Sequence, residues 1–386
     1  MSAGERIMLQ PEVCARRAVC PNARGMKIEG ISHRSLWLAE DGRSVHVFDQ
    51  TRLPWKLETL RLAGAEQVAH AIRTAQIRGA ALVGVAAAYG IALALRDDAT
   101  DPALDAAAAL LLDARPGLAC LHRSIRRMSA ALRDLPIATR VAAAYAEAAA
   151  MAEEDVAANA AIGRHGRALL DTIAARHGAV NVLTHGHAGW TASVDWGTAL
   201  APVYMAHDAG LDVHVWVSET RPRGLGAALT AWELGQHGVP HTVIADGASG
   251  QVIQRGAVDI VLVGAERISR LGDLTNTIGT YPVALAARDN GVPFWAAVAT
   301  AAVDGTAEAP ACPVEERPST EVTTMTGRAL DGSVATVRVV ASGSRAANPA
   351  HDVTPSRLIT GLITDRGVCP ASEAAIARLF PGQHAA

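Results

Sequence analysis

Residues 259–281 read DIVLVGAERISRLGDLTNTIGTY. The run 259–263 is β-branched and apolar, which predicts a short buried strand. Gly264-Ala265 ends it, and the charged pair Glu266-Arg267 follows at once. A polar loop through Gly272-Asp273 leads to Asn276, and a helical pattern runs on from about Ile278. In an open parallel sheet, ligands bind beyond the carboxyl ends of the strands. Glu266 therefore stands where such a sheet would receive a ligand. A carboxylate at that place, with apolar residues behind it, can have a raised pKa and move protons. The plainer reading is a surface carboxylate paired with Arg267 or Arg270, and this stretch alone slightly favours it.

The surrounding sequence repeats the pattern. Strands are predicted at 180–184, 213–217, 241–245 and 293–298, and helices at 191–209, 225–237, 248–256 and 277–290. Strand-helix alternation at this spacing predicts an α/β fold with a doubly wound, mostly parallel sheet. Residues 334–340 are expected to add an edge strand. Before residue 177 the pattern is mostly helical, apart from a hairpin at 35–48 that turns through Glu40-Asp41-Gly42. Residues 1–26 have no clear period and are expected to form a loosely attached extension. The expected division is thus an extension at 1–26, a mostly helical domain at 27–170 and the sheet domain at 171–386.

A chain of 386 residues can bury a large core in two domains. With 50% hydrophobic and 19% charged residues it reads as globular. The net charge of -3 and the lack of a concentrated basic face argue against nucleic acid as a partner. The apolar run 80–95 is broken by Gly84, Tyr89 and Gly90 and reads as a buried helix, so no membrane association is expected. The N-terminus has no apolar signal core, which makes cytoplasm the expected location. The cysteines are Cys14, Cys20, Cys120, Cys312 and Cys369. None forms a CxxC pair or has a histidine at metal-ligand spacing, so no metal site is expected. Their odd number suggests free thiols.

Other stretches carry chemistry. Arg78-Gly79-Ala80 opens a small-residue helix, and a guanidinium beside free N–H groups at a helix start makes an anion site. Close helix packing would explain the Gly-Ala pair equally well. Arg115 lies between two predicted helices and is a second phosphate-clamp candidate, although lone loop arginines are usually solvated. Thr184-His185-Gly186-His187 follows the first strand of the sheet domain. Two histidines there could serve as acid and base near neutral pH. For His185 a structural role at the sheet edge is favoured, while for His187 the two readings are even. Gly224-Leu225-Gly226 invites a dinucleotide reading, but Leu229 at the sixth position and the filled turn Arg221-Pro222-Arg223 reject it.

Taken together these motifs resemble the methylthioribose-1-phosphate isomerase family, within the wider family of initiation factor 2B regulatory subunits and ribose-1,5-bisphosphate isomerase. The carrying residues include residues 49–54 (DQTRLP), Arg78-Gly79-Ala80, Glu154-Asp155 with Asn159, and Thr184-His185 with Ala188-Gly189. They continue with 219–223 (ETRPR), 229–234 (LTAWEL), Gly264-Ala265, 278–281 (IGTY) and 352–355 (DVTP). The resemblance spans about 27–370. It implies a helical N-terminal domain on a Rossmann-like C-terminal domain, a homodimer, and cofactor-free conversion of an aldose 1-phosphate to a ketose 1-phosphate.

Several site positions depart from the family pattern. The family's cysteine position is Gly186, its aspartate is Glu266, its substrate-contacting glutamine is Leu225 and its lysine is Thr277. The asparagine after the cysteine is His187. The expected catalytic residues are therefore Glu266 and His187. The expected substrate-binding residues are Arg78, Gly79, Ala80, Arg115, Asn276, Thr277, Leu225 and Gly186. The implied function is an altered aldose-ketose isomerase acting on a ribose-1-phosphate-type small molecule without a cofactor. The alternatives are a catalytically silent ligand-binding or regulatory homologue, or an enzyme with a changed reaction on a related small molecule.

Overall fold

The computed structural model describes residues 25–305 and 315–381. The fold is α/β, with a mostly helical N-terminal part and a Rossmann-like C-terminal part. Cys14, Cys20 and Cys312 lie outside the described residues, as does most of the expected N-terminal extension. The end of that extension is not loose: Met26–Ile28 pairs with Ile31–His33, and Met26 is fully buried.

The N-terminal part is built round Ala80–Leu95. This helix is apolar on every side and nearly all of it is buried, as a central core helix must be. Ala65–Arg73, Asp101–Ala114, Ala119–Leu132 and Ile137–His177 pack on it. The predicted hairpin is present as Leu36–Leu38 and Val45–Phe48, extended by Thr59–Leu62. Ile137–His177 is a single 41-residue helix that runs across the boundary expected at 170/171. Its Ala144, Ala148 and Ala152 join the N-terminal core, and its Ile162 and Leu170 join the core beneath the sheet. Phe48 also packs there, against Trp190.

The main sheet has seven strands in the order 367–369, 361–364, 294–298, 260–263, 179–184, 212–218, 241–244. All neighbours are parallel except the pair 361–364 and 367–369. The chain leaves Ala179–Thr184 towards one edge and returns on its other side at Ile260–Val263. That is a topological switch point, where connections diverge and leave a crevice at the carboxyl ends. The loops after these two strands begin at His185 and at Gly264, so the fold brings His187 and Glu266 to one crevice.

Three expected elements differ. Residues 191–200 are not helical: Trp190–Ala192 is a short 3-10 turn, and the helix starts only at Ala201–Asp208. Buried polar groups such as Thr191 and Asp195 hold that segment to its neighbours instead. Residues 274–277 form a strand, Leu274–Thr277, paired with Arg267–Ser269 and His351–Thr354, and the helix begins after Gly279. Residues 334–338 pair only with Thr324–Arg328 as a separate exposed hairpin, not as an edge of the main sheet.

The two halves meet closely at Gly79. Its φ is +87°, and a Cβ there would stand 2.1 Å from the Ala192 carbonyl oxygen. Gly79→Ala would combine backbone strain, about 1–3 kcal/mol in itself, with a backbone clash. The variant is expected to lower the urea midpoint without changing the slope.

Candidate active site

A cavity of about 1450 Å³ lies between the helical part and the carboxyl ends of the sheet. The sheet side contributes His187, Glu266, Asn276 and Thr277. The helical side contributes Gly79, Ala80, Cys120, Arg123, Asp155 and Asn159. Glu266 is exposed to the cavity, and among the described residues it has no ion-pair partner. The plainer reading of its sequence is corrected here: Arg267 lies by Asp304, and Arg270 pairs with Glu373.

Gly186 and His187 stand side by side with different surroundings. Gly186 has φ +85°, the left-handed region that favours glycine. Its N–H donates to Thr220 Oγ1 at 3.0 Å, and its carbonyl accepts from Thr230 Oγ1 at 3.3 Å. A Cβ at 186 would meet Thr277 Oγ1 at 3.4 Å and Asn276 Nδ2 at 3.8 Å, ordinary contact distances. His187 Nε2 lies 2.8 Å from Glu233 Oε1 and 2.9 Å from Thr191 Oγ1. His185 has the structural role favoured for it. It is buried between Ser218 Oγ at 3.0 Å and the Ile278 carbonyl at 2.8 Å.

Asn276 is buried, and its side-chain amide donates to Thr280 Oγ1 at 3.1 Å. That hydroxyl in turn donates to the Thr277 carbonyl at 2.7 Å. The antiparallel register sets Thr277 opposite His351. Directly opposed residues present their side chains on the same face, so the His351 imidazole stands beside Thr277. Glu266 is the strongest attractive charge acting on this histidine, followed by Glu315, with Arg223 and Arg115 opposing. Burial outweighs them and holds His351 below the usual histidine range.

The expected pair of arginines belongs to a larger cluster. Arg78 is pushed well down, first by burial and then by the charges of Arg223, Arg317 and Arg115. Burial, followed by Arg317, takes Arg223 down to about 10. Arg317 bonds Glu321 at 2.8 Å and Glu315 at 3.2 Å, and Arg115 lies 3.9 Å from Glu315. Four guanidiniums (Arg78, Arg115, Arg223, Arg317) thus face two carboxylates (Glu315, Glu321), leaving two formal positive charges. Leu225 is buried against Leu53 and Leu229, and it lines a small recess beside Arg221 and Arg223 rather than the main cavity.

Sequence reading missed Glu233, His351, Arg223, Arg317 and Cys120 as members of this neighbourhood. Cys120 lines the cavity, and burial followed by the charge of Glu266 pushes its thiol up to about 12. Glu233 had a signal available: it is a carboxylate inside an apolar helical run, where an ionised group must find partners.

The chain matches the Initiation factor 2 subunit family over residues 76–371. It is 56% identical over 361 residues to the methylthioribose-1-phosphate isomerase of Acidiphilium cryptum, covering 93% of this chain and 98% of that one. The chain belongs to the methylthioribose-1-phosphate isomerase family. It is accordingly an isomerase, an intramolecular oxidoreductase. The Gluconobacter oxydans relative of the same name is 55% identical, covering 93% of this chain and 99% of that one. Among solved structures, the 5-methylthioribose 1-phosphate isomerase of Pyrococcus horikoshii OT3 superposes with a TM-score of 0.80 at 33% identity, covering 90% of this chain and 96% of that one. The delta subunit of translation initiation factor eIF-2B from A. fulgidus gives 0.78 at 36%, covering 90% and 99%.

The excess positive charge in the arginine cluster suits a phosphate dianion. Arg115→Ala and Arg223→Ala are each expected to weaken inorganic phosphate binding by at least about 1.5 kcal/mol, the scale of hydrogen bonds to charged groups. Titration calorimetry at fixed ionic strength checks this, and unchanged affinity in both variants removes the clusters' anion role.

Proposed function

We propose that the chain converts an aldose 1-phosphate of the methylthioribose-1-phosphate type to the ketose 1-phosphate without a cofactor. The supporting observation is the convergence of Glu266 and His187, from the loops after the two strands that flank the switch point, on one cavity whose wall also includes Gly79 and Ala80, next in the chain to Arg78. The names of the similar isomerases support the substrate class.

In this reading Arg78, Arg115, Arg223 and Arg317 hold the phosphate, with the N–H groups at Gly79 and Ala80 beside them. Glu266 removes the proton at C2. It returns that proton to C1, while His187 carries the proton that leaves the 2-hydroxyl and arrives on the ring oxygen as the ring opens. The reaction then proceeds with glycine at position 186, the place the resemblance assigns to the family's cysteine. Proton transfer by a positioned group typically contributes about 10²–10⁴-fold, so the histidine must supply what a thiol at 186 would. The protein is further proposed to act in the cytoplasm as a homodimer. Only monomer in sedimentation at micromolar concentration counts against the dimer.

A second reading has its own observation. Gly186 has no side chain, and Leu225 is packed in an apolar cluster, so two positions offer a sugar no polar contact. A protein that binds a sugar phosphate without turning it over fits those two residues.

A screen of purified protein against methylthioribose 1-phosphate, ribose 1-phosphate and 5-deoxyribose 1-phosphate, following ketose formation, separates the readings. Glu266→Gln is expected to abolish turnover while leaving binding nearly intact, because proton transfer acts in the transition state. Full rate in Glu266→Gln places the base elsewhere. Tight binding with no turnover of any of the three establishes the silent reading. Gly186→Cys sets its Cβ at ordinary contact distance from Thr277 and is expected to raise turnover of methylthioribose 1-phosphate, at a cost of about 1 kcal/mol or more in stability from the positive φ.

A further inference from the structure

We propose that Glu233 is a positioning residue that fixes His187 in one tautomer, with Nε2 protonated and the Nδ1 lone pair free as the acid/base atom of the cavity. This inference rests on the isomerase reading for its consequence, but its geometry is independent of that reading.

Glu233 is completely buried. Its carboxylate accepts from the backbone N–H of Trp190 at 3.0 Å and of Thr191 at 3.1 Å. It accepts from Thr191 Oγ1 at 2.5 Å and from Tyr204 Oη at 3.1 Å. Burial, and then Glu233 itself, drives the Tyr204 phenol well above its usual range, so that hydroxyl stays protonated and donates. The backbone groups can only donate. The fifth partner is His187 Nε2 at 2.8 Å.

A carboxylate with these partners has no hydrogen to give, so Nε2 must carry one. Thr191 leads to the same result. Its hydroxyl hydrogen is directed at Glu233, so its oxygen can only accept from Nε2, 2.9 Å away. A neutral imidazole with Nε2 protonated has its lone pair on Nδ1. Among the described residues Nδ1 has no hydrogen-bond partner, and it is not one of the sealed polar atoms. His187 lines the cavity, so that lone pair is open to a ligand.

The packing leaves the pair little freedom. A Cβ at Gly189 would lie 1.7 Å from Glu233 Oε2, so the loop after His187 can follow the carboxylate only as glycine. Chemically the step is closed. Nδ1 takes one proton from the substrate, the imidazolium is stabilised by the buried carboxylate, and the same proton is returned. No other reactant is needed.

The test has a spectroscopic arm and a kinetic arm. Nitrogen-15 spectra of histidine-labelled protein, with His187 assigned by its loss in His187→Gln, report the tautomer directly. The expected result is the Nε2–H form at neutral pH in the native protein and loss of that fixed form in Glu233→Gln. An Nδ1–H form in the native protein overturns the proposal. In turnover of whichever of the three aldose 1-phosphates is the best substrate, Glu233→Gln is expected to lower kcat about 10²-fold with KM little changed. In the His187→Gln background the same substitution should change kcat by no more than about twofold, since residues acting as one unit are non-additive. Equal losses in both backgrounds make Glu233 merely structural and overturn the proposal. If none of the three sugars is turned over, the isomerase reading fails, and the native protein's tautomer alone decides the pair. That measurement also stands if Glu233→Gln does not fold.

Discussion

A buried carboxylate must be surrounded by donors, because desolvation of an unpaired charge costs more than the fold can supply. Glu233 meets that demand by gathering backbone N–H groups, a hydroxyl and an imidazole from a segment that would otherwise be an irregular loop, and the Tyr204 phenol from the helix that follows. The shape of residues 187–192 follows from this one requirement. That shape also determines the approach of the two halves. The turn it creates presents the Ala192 carbonyl to Gly79, and Gln50 bridges the same junction by donating to the Thr191 and Arg78 carbonyls. On the other flank, Ala188 presses on Gly264 so closely that a Cβ at 264 would lie 2.4 Å from its methyl. The loops after the two central strands are thereby locked against each other, and the crevice between them is preformed.

The charge arrangement is unusual in its order. Arginines from four separate segments share a partly buried space, and the acidic residues that temper them come from 315–321, a stretch otherwise outside both cores. Asp246 assists from the sheet, accepting the N–H groups of Thr220 and Arg221 at 2.7 Å each and so orienting the turn that carries Arg223. His351 feels both Glu266 and two arginines of this cluster, so the charges of the two groups meet at its imidazole.

Much of this is legible in the sequence, and the exceptions have a common cause. The strands 179–184, 212–218, 241–244, 260–263 and 294–298 are short apolar runs between turn residues, and periodicity finds them within a residue or so. The placement of Glu266 at a strand end follows from the same logic. Residues 191–200 defeat it, because Thr191 and Val194 give their N–H groups to the distant carboxylates of Glu233 and Asp155 and much of the rest of the segment closes tight local turns. Leu274–Thr277 is a strand because a hairpin partner, Arg267–Ser269, and a distant strand, His351–Thr354, supply its ladder. His351 looks unremarkable in the sequence for that reason. Family resemblance finds Arg78 and Arg115, but the cluster that gives them a charge excess is assembled only in three dimensions.

The long helix Ile137–His177 has a mechanical consequence. At about 1.5 Å per residue it extends roughly 60 Å, and it is anchored in both hydrophobic cores. Gly163 and Gly166 seat it so tightly that a Cβ at either would overlap Met205 or Pro202. A hinge between the halves would have to bend this strut or pull it out of one core. With one strut shared by two cores, the halves are expected to unfold together in a single transition.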